Sequence, residues 1–309
     1  KMAGPIMTSN HPRFLWPGVK GIWGRTYDDH QTEYTDLFDI ETSDKAYEEF
    51  VQITGFGLAP VKAQGADAVY DSEVQGPISR FVHLAYALGY IVTHEEIQDN
   101  LYLEVSKTRA SSNARAFRQT KERVAANIYN RAFSSSAAYF GADGVALCST
   151  AHPNTSGGTY QNKPTIDADL SEASLEDLLI LMMQATDDRG LLINLMPKSL
   201  HIAPQNWFNA NRILHSVYQA GNANNDINVL RATGAFPGGI KLNHYFTAPQ
   251  AWFVRSNIER GKGMVFLQRE PISFDQDKDF DTKNAKSLGY ERYSCGFVDP
   301  RAVYGVNGP

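Results

Sequence analysis

The stretch Thr93–Phe133, THEEIQDNLYLEVSKTRASSNARAFRQTKERVAANIYNRAF, decides how this chain is read. It lies within a longer run, Tyr90 to Phe140, that holds neither glycine nor proline. Apolar residues recur at helical spacing, at Ile97, Leu101, Val105, Ala110, Ala114, Phe117, Val124, Ile128 and Ala132, so one face is built for burial. Thr93 followed by Glu96 supplies a capping box, which predicts a helix from about His94 to about Phe133. Such a helix has roughly 40 residues and spans about 60 Å. A compact chain of 309 residues would form a sphere only about 50 Å across. The spacing therefore predicts an elongated plate that buries its surplus surface against copies of itself.

Working outward toward the N-terminus, Ile78 to Val92 alternates, with Val82, Leu84, Tyr86, Leu88 and Tyr90 on one face at period two. A strand over Lys45 to Ile53 and the turn-rich stretch holding Gly55, Gly57, Pro60, Gly65 and Gly76 complete a long hairpin with little core of its own. The preceding residues, with Trp16, Trp23, Tyr27, Tyr34 and Phe38 among polar neighbours, read as an extended arm too aromatic to be fully disordered. On the other side, Gly141 to Thr165 is loop-rich. An apolar helix over Leu175 to Thr186, a buried strand over Ser199 to Ala203 and a helix opened by Pro204 follow. Gln219 to Gly239 is a long Asn- and Gly-rich connection of the kind that carries function or is ordered by a partner. Strands are predicted over Trp252 to Ser256, Met264 to Glu270 and Tyr290 to Val298, the last pairing back with the first region.

Composition excludes several classes. The chain is 42% hydrophobic with a net charge of −5, so it can bury a large core and shows no global basic footprint of a nucleic-acid binder. The longest apolar run, Leu178 to Met183, is too short to cross a bilayer, and no signal-peptide core is visible. Cys148 and Cys295 lie in unrelated contexts, which fits synthesis in a reducing cytoplasm.

Catalytic signatures fail in turn. Gly55-Phe56-Gly57 lacks the third glycine of a dinucleotide fingerprint, with Pro60 in its place, and His94-Glu95 lacks the second histidine of a zincin motif because Gln98 stands there. Asp275, Asp277, Asp279 and Asp281 do not make a calcium loop, since Phe280 replaces the glycine and Lys286 the closing glutamate; a strand with acids on one face accounts for them. Cys148 and His152 sit too close in one loop to be a convincing thiolate and base. No cofactor or metal site is expected. The long helix is locally basic, with Lys107, Arg109, Arg115, Arg118, Lys121, Arg123 and Arg131 against Glu104 and Glu122. Three readings stand: a solvated face, contact with a packaged polyanion, or pairing with Glu48, Glu49, Asp71 and Glu73 of a neighbouring subunit. The planar fork of arginine favours the last.

The order of parts resembles the major capsid protein of tailed bacteriophages, the Hong Kong 97 fold, and more closely the Mu-like major head subunit family. The residues that carry the likeness are Ala46-Tyr47-Glu48-Glu49, Thr54-Gly55-Phe56-Gly57-Leu58-Ala59-Pro60-Val61, Arg118-Gln119-Thr120-Lys121-Glu122, Asn130-Arg131-Ala132-Phe133, Ser149-Thr150-Ala151-His152-Pro153, Asn224-Asn225-Asp226-Ile227-Asn228 and Glu291-Arg292-Tyr293-Ser294 with Asp299-Pro300-Arg301. The resemblance implies an α+β chain divided into an N-terminal arm (1–43), an extended hairpin loop (44–92), a peripheral domain with the spine helix (93–166), an axial α/β domain (167–262) and returning strands of the peripheral domain (263–309). It implies hexameric and pentameric capsomers, and an icosahedral shell around double-stranded DNA held by non-specific contact. Scaffold, portal and decoration proteins are the further partners, no membrane is involved, and the location is the virion capsid after synthesis in the bacterial host. Asn225 and Asp226 would then lie near the capsomer axis or a subunit contact. Lys62 is the loop lysine in the region where some relatives crosslink, but no matching asparagine or catalytic acid aligns, so no crosslink is expected. The same fold builds encapsulin compartments around enzymes, which is one alternative. A small soluble enzyme using Cys148 is the other.

Overall fold

The computed structural model describes residues 16–98, 102–219 and 226–308. In chain order, helices α1 (Trp16–Asp29) and α2 (Tyr34–Leu37) precede strand β1 (Asp39–Thr42), and β2 (Tyr47–Ile53) pairs antiparallel with β3 (Gln75–Val82). Strand β4 (Leu84–Val92) leads into α3 (His94–Gln98) and α4 (Tyr102–Asn130). The two-residue strands β5 (His152–Pro153) and β6 (Thr159–Tyr160) lie in the loop that follows. Next come α5 (Glu172–Met183), β7 (Pro197–Ile202), α6 (Trp207–His215), α7 (Val229–Ala232), β8 (Ile240–Leu242) and β9 (Trp252–Ser256). The chain ends with the long hairpin β10 (Met264–Lys278) and β11 (Ala285–Phe297), then β12 (Val303–Val306).

Two four-stranded sheets organise these elements, one in the order β1-β10-β11-β4 and the other β12-β9-β7-β8. Helix α4 lies on the first sheet because its inward positions are small or aromatic: Ala110, Ala114, Phe117, Ala125 and Tyr129 are all buried. Gly289 of β11 sits directly under the Phe117 ring, where any Cβ would collide, so the absence of a side chain lets helix and sheet approach closely. One core runs between the sheets through Phe38, Tyr129, Phe253, Phe266 and Tyr293. A second packs α5 and α6 on β7 and β9 through Leu175, Leu178, Met182, Leu200 and Trp252. Ser171 caps α5, accepting from the Ser174 amide while Ser174 accepts from the Ser171 amide.

Several expectations change. The arm is helical over Trp16–Asp29 rather than extended. Val19, Trp23 and Tyr27 recur at four-residue spacing and are buried against α4, with Trp23 stacked between Tyr27 and Phe274 and donating from Nε1 to Asn113 at 2.9 Å. Its first 15 residues lie outside the described ones.

The predicted 40-residue helix is not one straight rod. Thr93 Oγ1 does accept from the Glu96 amide at 3.3 Å, but the Glu96 carboxylate bonds Arg109 at 3.0 Å instead of closing the box. Thirteen residues of straight helix would separate that pair by about 20 Å, beyond the reach of the two side chains, so α3 turns back against α4. Helix α4 ends at Asn130, and Arg131 to Phe133 form a turn.

The alternation over Ile78 to Val92 also divides. His83 separates β3, in the hairpin sheet, from β4, which pairs with β11 in the body. The terminal strand β12 joins β9 in the second sheet, whereas β11 returns to the first.

Glu122 on α4 fastens the arm. Its two carboxylate oxygens accept from the Glu33 and Tyr34 amides at 3.0 and 2.8 Å, the amides that open α2. Burial pushes this carboxyl up to about 7, against the two amides that pull it down. A raised folded value means that its contribution to stability is complete below the ordinary carboxylate value and is lost as pH rises through about 7. Thermal melts at pH 6 and pH 8 should therefore show a smaller drop for Glu122→Gln than for the natural chain.

Candidate assembly surface

The hairpin β2–β3 projects as a two-stranded sheet, a form with marginal stability alone. Its root is fixed by side chains on both strands. Phe50 packs edge-on against Phe81 at 5.7 Å, Glu49 pairs with Arg80 at 2.6 Å, and Gln52 Nε2 donates to the Val298 carbonyl at 2.7 Å. Thr54 and Val74 close the root, the Thr54 amide donating to the Val74 carbonyl at 3.0 Å and the Val74 amide to Thr54 Oγ1 at 2.9 Å, and beyond them residues 55–73 carry no regular structure. Asp71 accepts from the Gly57 amide at 2.8 Å, which holds its carboxyl below the ordinary range. Arg189 reaches Asp71 and the Ser72 carbonyl, tethering the loop to the body.

The apolar side chains at the end of β2 and in this loop are left uncovered by the described residues. Ile53, Phe56, Leu58, Val61, Val69 and Tyr70 are 58 to 100% exposed, so the segment adds no core to its own chain. Clefts flank the root of the hairpin. One of about 500 Å³ runs beside β3, lined by Ile78, Phe81, Ile128, Tyr139 and Phe297. The other, about 570 Å³, runs beside β2 and is lined by Phe50, Ile53, Ile193, Val298 and Arg301. A chain with an apolar flap beside two clefts of mixed polar and apolar lining has the features of one that packs against others.

The residues singled out in the sequence fall into different environments. Glu48 accepts from Ser43 Oγ at 2.7 Å and pairs with Lys45 at 3.0 Å, bonds that hold its carboxyl low, and Glu49 is paired with Arg80 across the hairpin. Lys62 and Glu73 are exposed on the loop. Arg115 is exposed on α4, in line with Arg123. Arg118 is not a surface residue: it is buried, donates to the Tyr27 carbonyl at 2.9 Å and lies 3.9 Å over the Tyr27 ring. Docking of α1 encloses it, so a change at Arg118 acts on the fold of its own chain. Asn225 lies outside the described residues; Asp226 is exposed, and its carbonyl accepts from the Gln219 amide at 2.8 Å.

Lys121 is likewise enclosed. Its ammonium meets the Glu291 carboxylate at 2.6 Å, inside a ring of Tyr27, Tyr34, Phe266 and Tyr293. Burial lowers the Lys121 ammonium and raises the Glu291 carboxyl, because each charge has lost its water. Two of the seven basic residues, Arg118 and Lys121, are thus drawn into the interior, while Lys107, Arg115, Arg123 and Arg131 stay exposed and available for contact.

Cys148 and His152 do not form a nucleophilic pair. Burial pushes the Cys148 thiol up, and both ring nitrogens of His152 are taken, Nδ1 by Asp143 at 2.6 Å and Nε2 by Asn162 at 3.0 Å. Asn162 belongs to a joint between the sheets that sequence reasoning missed, donating to the carbonyls of Leu147, Pro300 and Val303 at 2.7 to 2.9 Å. Nearby Arg301 stacks on Tyr160 at 3.8 Å and bonds Asp188 and the Thr186 carbonyl. Only the block Asp299-Pro300-Arg301 pointed there. Replacing Cys148 with alanine should cost stability by roughly 1–2 kcal/mol for the lost volume and leave assembly intact, as measured by denaturation and light scattering.

Among the described residues no helix is long and apolar enough to cross a membrane. A family model described as phage capsid protein matches residues 83–306, beginning at the residue where the hairpin passes into β4. No curated protein sequence matches the chain. Among solved structures the chain is similar to the capsid of Myoviridae phage XM1, at 10% identity and a TM-score of 0.52 with 100% of both chains covered. It is similar to Mycobacterium phage Che8 at 13% identity and 0.53, over 90% of this chain and 93% of the other. The virus-like particle from Pyrococcus furiosus matches at 11% identity and 0.52, over 94% and 99%. At such identities the likeness is one of fold, the α+β Hong Kong 97 capsid fold.

Proposed function

The chain belongs to the phage capsid protein family, and on that premise we propose that its copies assemble through hexamers and pentamers into an icosahedral head enclosing double-stranded DNA. The observation that carries this reading is the apolar loop 54–74, which is ordered at its root, exposed at its tip and useless to its own core. Laid across a neighbour, it would remove that surface from water, and the exposed arginines of α4 would face acidic groups of another copy or the packaged polyanion. Subunits of the Mu-like type are the closest reading of the residue blocks in the sequence. A protein-filled compartment shares the fold, and the family match favours the head over it. The role is structural, and no residue is assigned to catalysis.

Light scattering and negative-stain electron microscopy of the purified full chain test the proposal. Closed shells or rings in the megadalton range are expected. A uniform monomer that stays monomeric with scaffold supplied would overturn it.

A further inference from the structure

Strand β4 is the edge of the first sheet, and among the described residues no strand pairs with its outer side. Its sequence, Leu84-Ala85-Tyr86-Ala87-Leu88-Gly89-Tyr90-Ile91-Val92, holds no charge and no proline over nine residues. Edge strands are ordinarily short, charged or covered, because an open ladder recruits other strands. The opposite edge obeys that rule: β1 has four residues, two of them acidic, and Arg260 donates to the Ile40 carbonyl at 3.0 Å. On β4, by contrast, Leu84, Leu88 and Ile91 are about half exposed or more, and Ala85, Ala87 and Gly89 are exposed between them.

The hydrogen-bonding phase shows what the edge offers. The Tyr290 carbonyl accepts from the Ser273 hydroxyl and the Arg292 carbonyl from Gln268 Nε2, both side chains of β10, so these even-numbered carbonyls of β11 face β10 and its odd-numbered residues turn toward β4. Their partners are Leu84, Tyr86, Leu88 and Tyr90, which leaves the amides and carbonyls of Ala85, Ala87, Gly89 and Ile91 directed at the free edge.

The strand is also close to a palindrome about Leu88. Antiparallel pairing with a second copy sets Tyr86 opposite Tyr90, Leu84 opposite Val92, Ala87 opposite Gly89, Ala85 opposite Ile91 and Leu88 opposite itself. Aromatic meets aromatic and small meets small on the same face, with no like charges opposed. A surface that complements itself in this way fits a two-fold, isologous contact.

We propose that β4 is the two-fold seam between copies of this chain, pairing antiparallel about Leu88 to fuse two four-stranded sheets into one. The seam rests on the assembly reading above but specifies a contact that the hairpin loop does not make. In such a pair Leu88 is a non-hydrogen-bonded position with Cα atoms about 4.5 Å apart, within the span a disulfide closes. Two Ala85 residues would lie about 20 Å apart, six residues out of register.

The test is oxidation of full-length Leu88→Cys and Ala85→Cys, read on non-reducing gels, with particle formation scored on the same samples by electron microscopy. Leu88→Cys should shift most of the chain to a covalent dimer, and Ala85→Cys should remain monomeric. Adding Ala87→Pro to Leu88→Cys removes a donor that the fold itself does not use, and it should abolish the dimer without moving the melting midpoint. A Leu88→Cys chain that forms particles yet stays uncrosslinked would overturn the seam while leaving the shell reading intact. A chain that forms neither particles nor dimers with scaffold supplied would overturn both, and a dimer of Ala85→Cys equal to that of Leu88→Cys would contradict the register.

Discussion

Deleting residues 55–73 and closing Thr54 to Val74 with a short turn is expected to leave a folded, soluble chain that builds no closed shells. The removed segment contributes its main internal contacts through Asp71, which bonds Gly57 and Arg189, and its apolar residues are exposed. The root keeps the Phe50–Phe81 contact and the Gln52 bond to Val298, so the body should lose little. Assembly should lose much more. Covering five or six large apolar side chains is worth on the order of 10 kcal/mol per copy before the cost of ordering the loop. A shell repeats that term at every subunit. Circular dichroism close to the natural chain, together with capsomers or monomers in sedimentation, is the predicted combination. Normal shells from the deletion would remove the hairpin from the account.

The second large effect concerns the fold. Lys121 and Glu291 are almost wholly buried, at 3% and 0% exposure, so each charge depends on the other. Removing one partner leaves an uncompensated charge among aromatic rings, at a cost of about 3–5 kcal/mol. Lys121→Met or Glu291→Leu alone should therefore shift the denaturation midpoint strongly, whereas the double variant should recover most of the loss. A double-mutant cycle measures the coupling directly. Single variants that melt like the natural chain would show that the pair does not hold helix to sheet.

Much of this architecture is legible in the sequence. The apolar spacing of α4 and the short apolar run Trp252-Phe253-Val254 that opens β9 each arise from burial, on one face of the helix and on both faces of the strand, and burial leaves such a trace. The parts that were not legible have physical reasons. Val19, Trp23 and Tyr27 carry a helical period, but it is short and set among glycine and polar residues, so the arm reads as extended. Nothing in a capping box reveals that Glu96 will turn to Arg109, since the competing partner is thirteen residues away. The division at His83 is invisible to period-two alternation because the apolar residues stay on even positions through Val82 and Leu84, whereas the inward positions pass from odd in β3, Ser79 and Phe81, to even in β4, Tyr86, Tyr90 and Val92.

The assembly residues were the least legible. Arg115 and Arg118 stand three apart on one helix, yet one is exposed and the other is sealed under Tyr27. The difference is made by α1, an element that composition alone does not place. The exposed apolar loop, in contrast, is plain in the sequence as apolar residues without periodicity or a core to serve. It is there that the reading of function is strongest.

Electron cryomicroscopy of assembled particles tests the central claim most directly. The predicted result is a closed icosahedral shell in which density for residues 54–74 lies on the neighbouring protomer, covering Phe56, Leu58, Val61 and Tyr70. A shell in which that loop stays in solvent or folds onto its own chain would contradict the account.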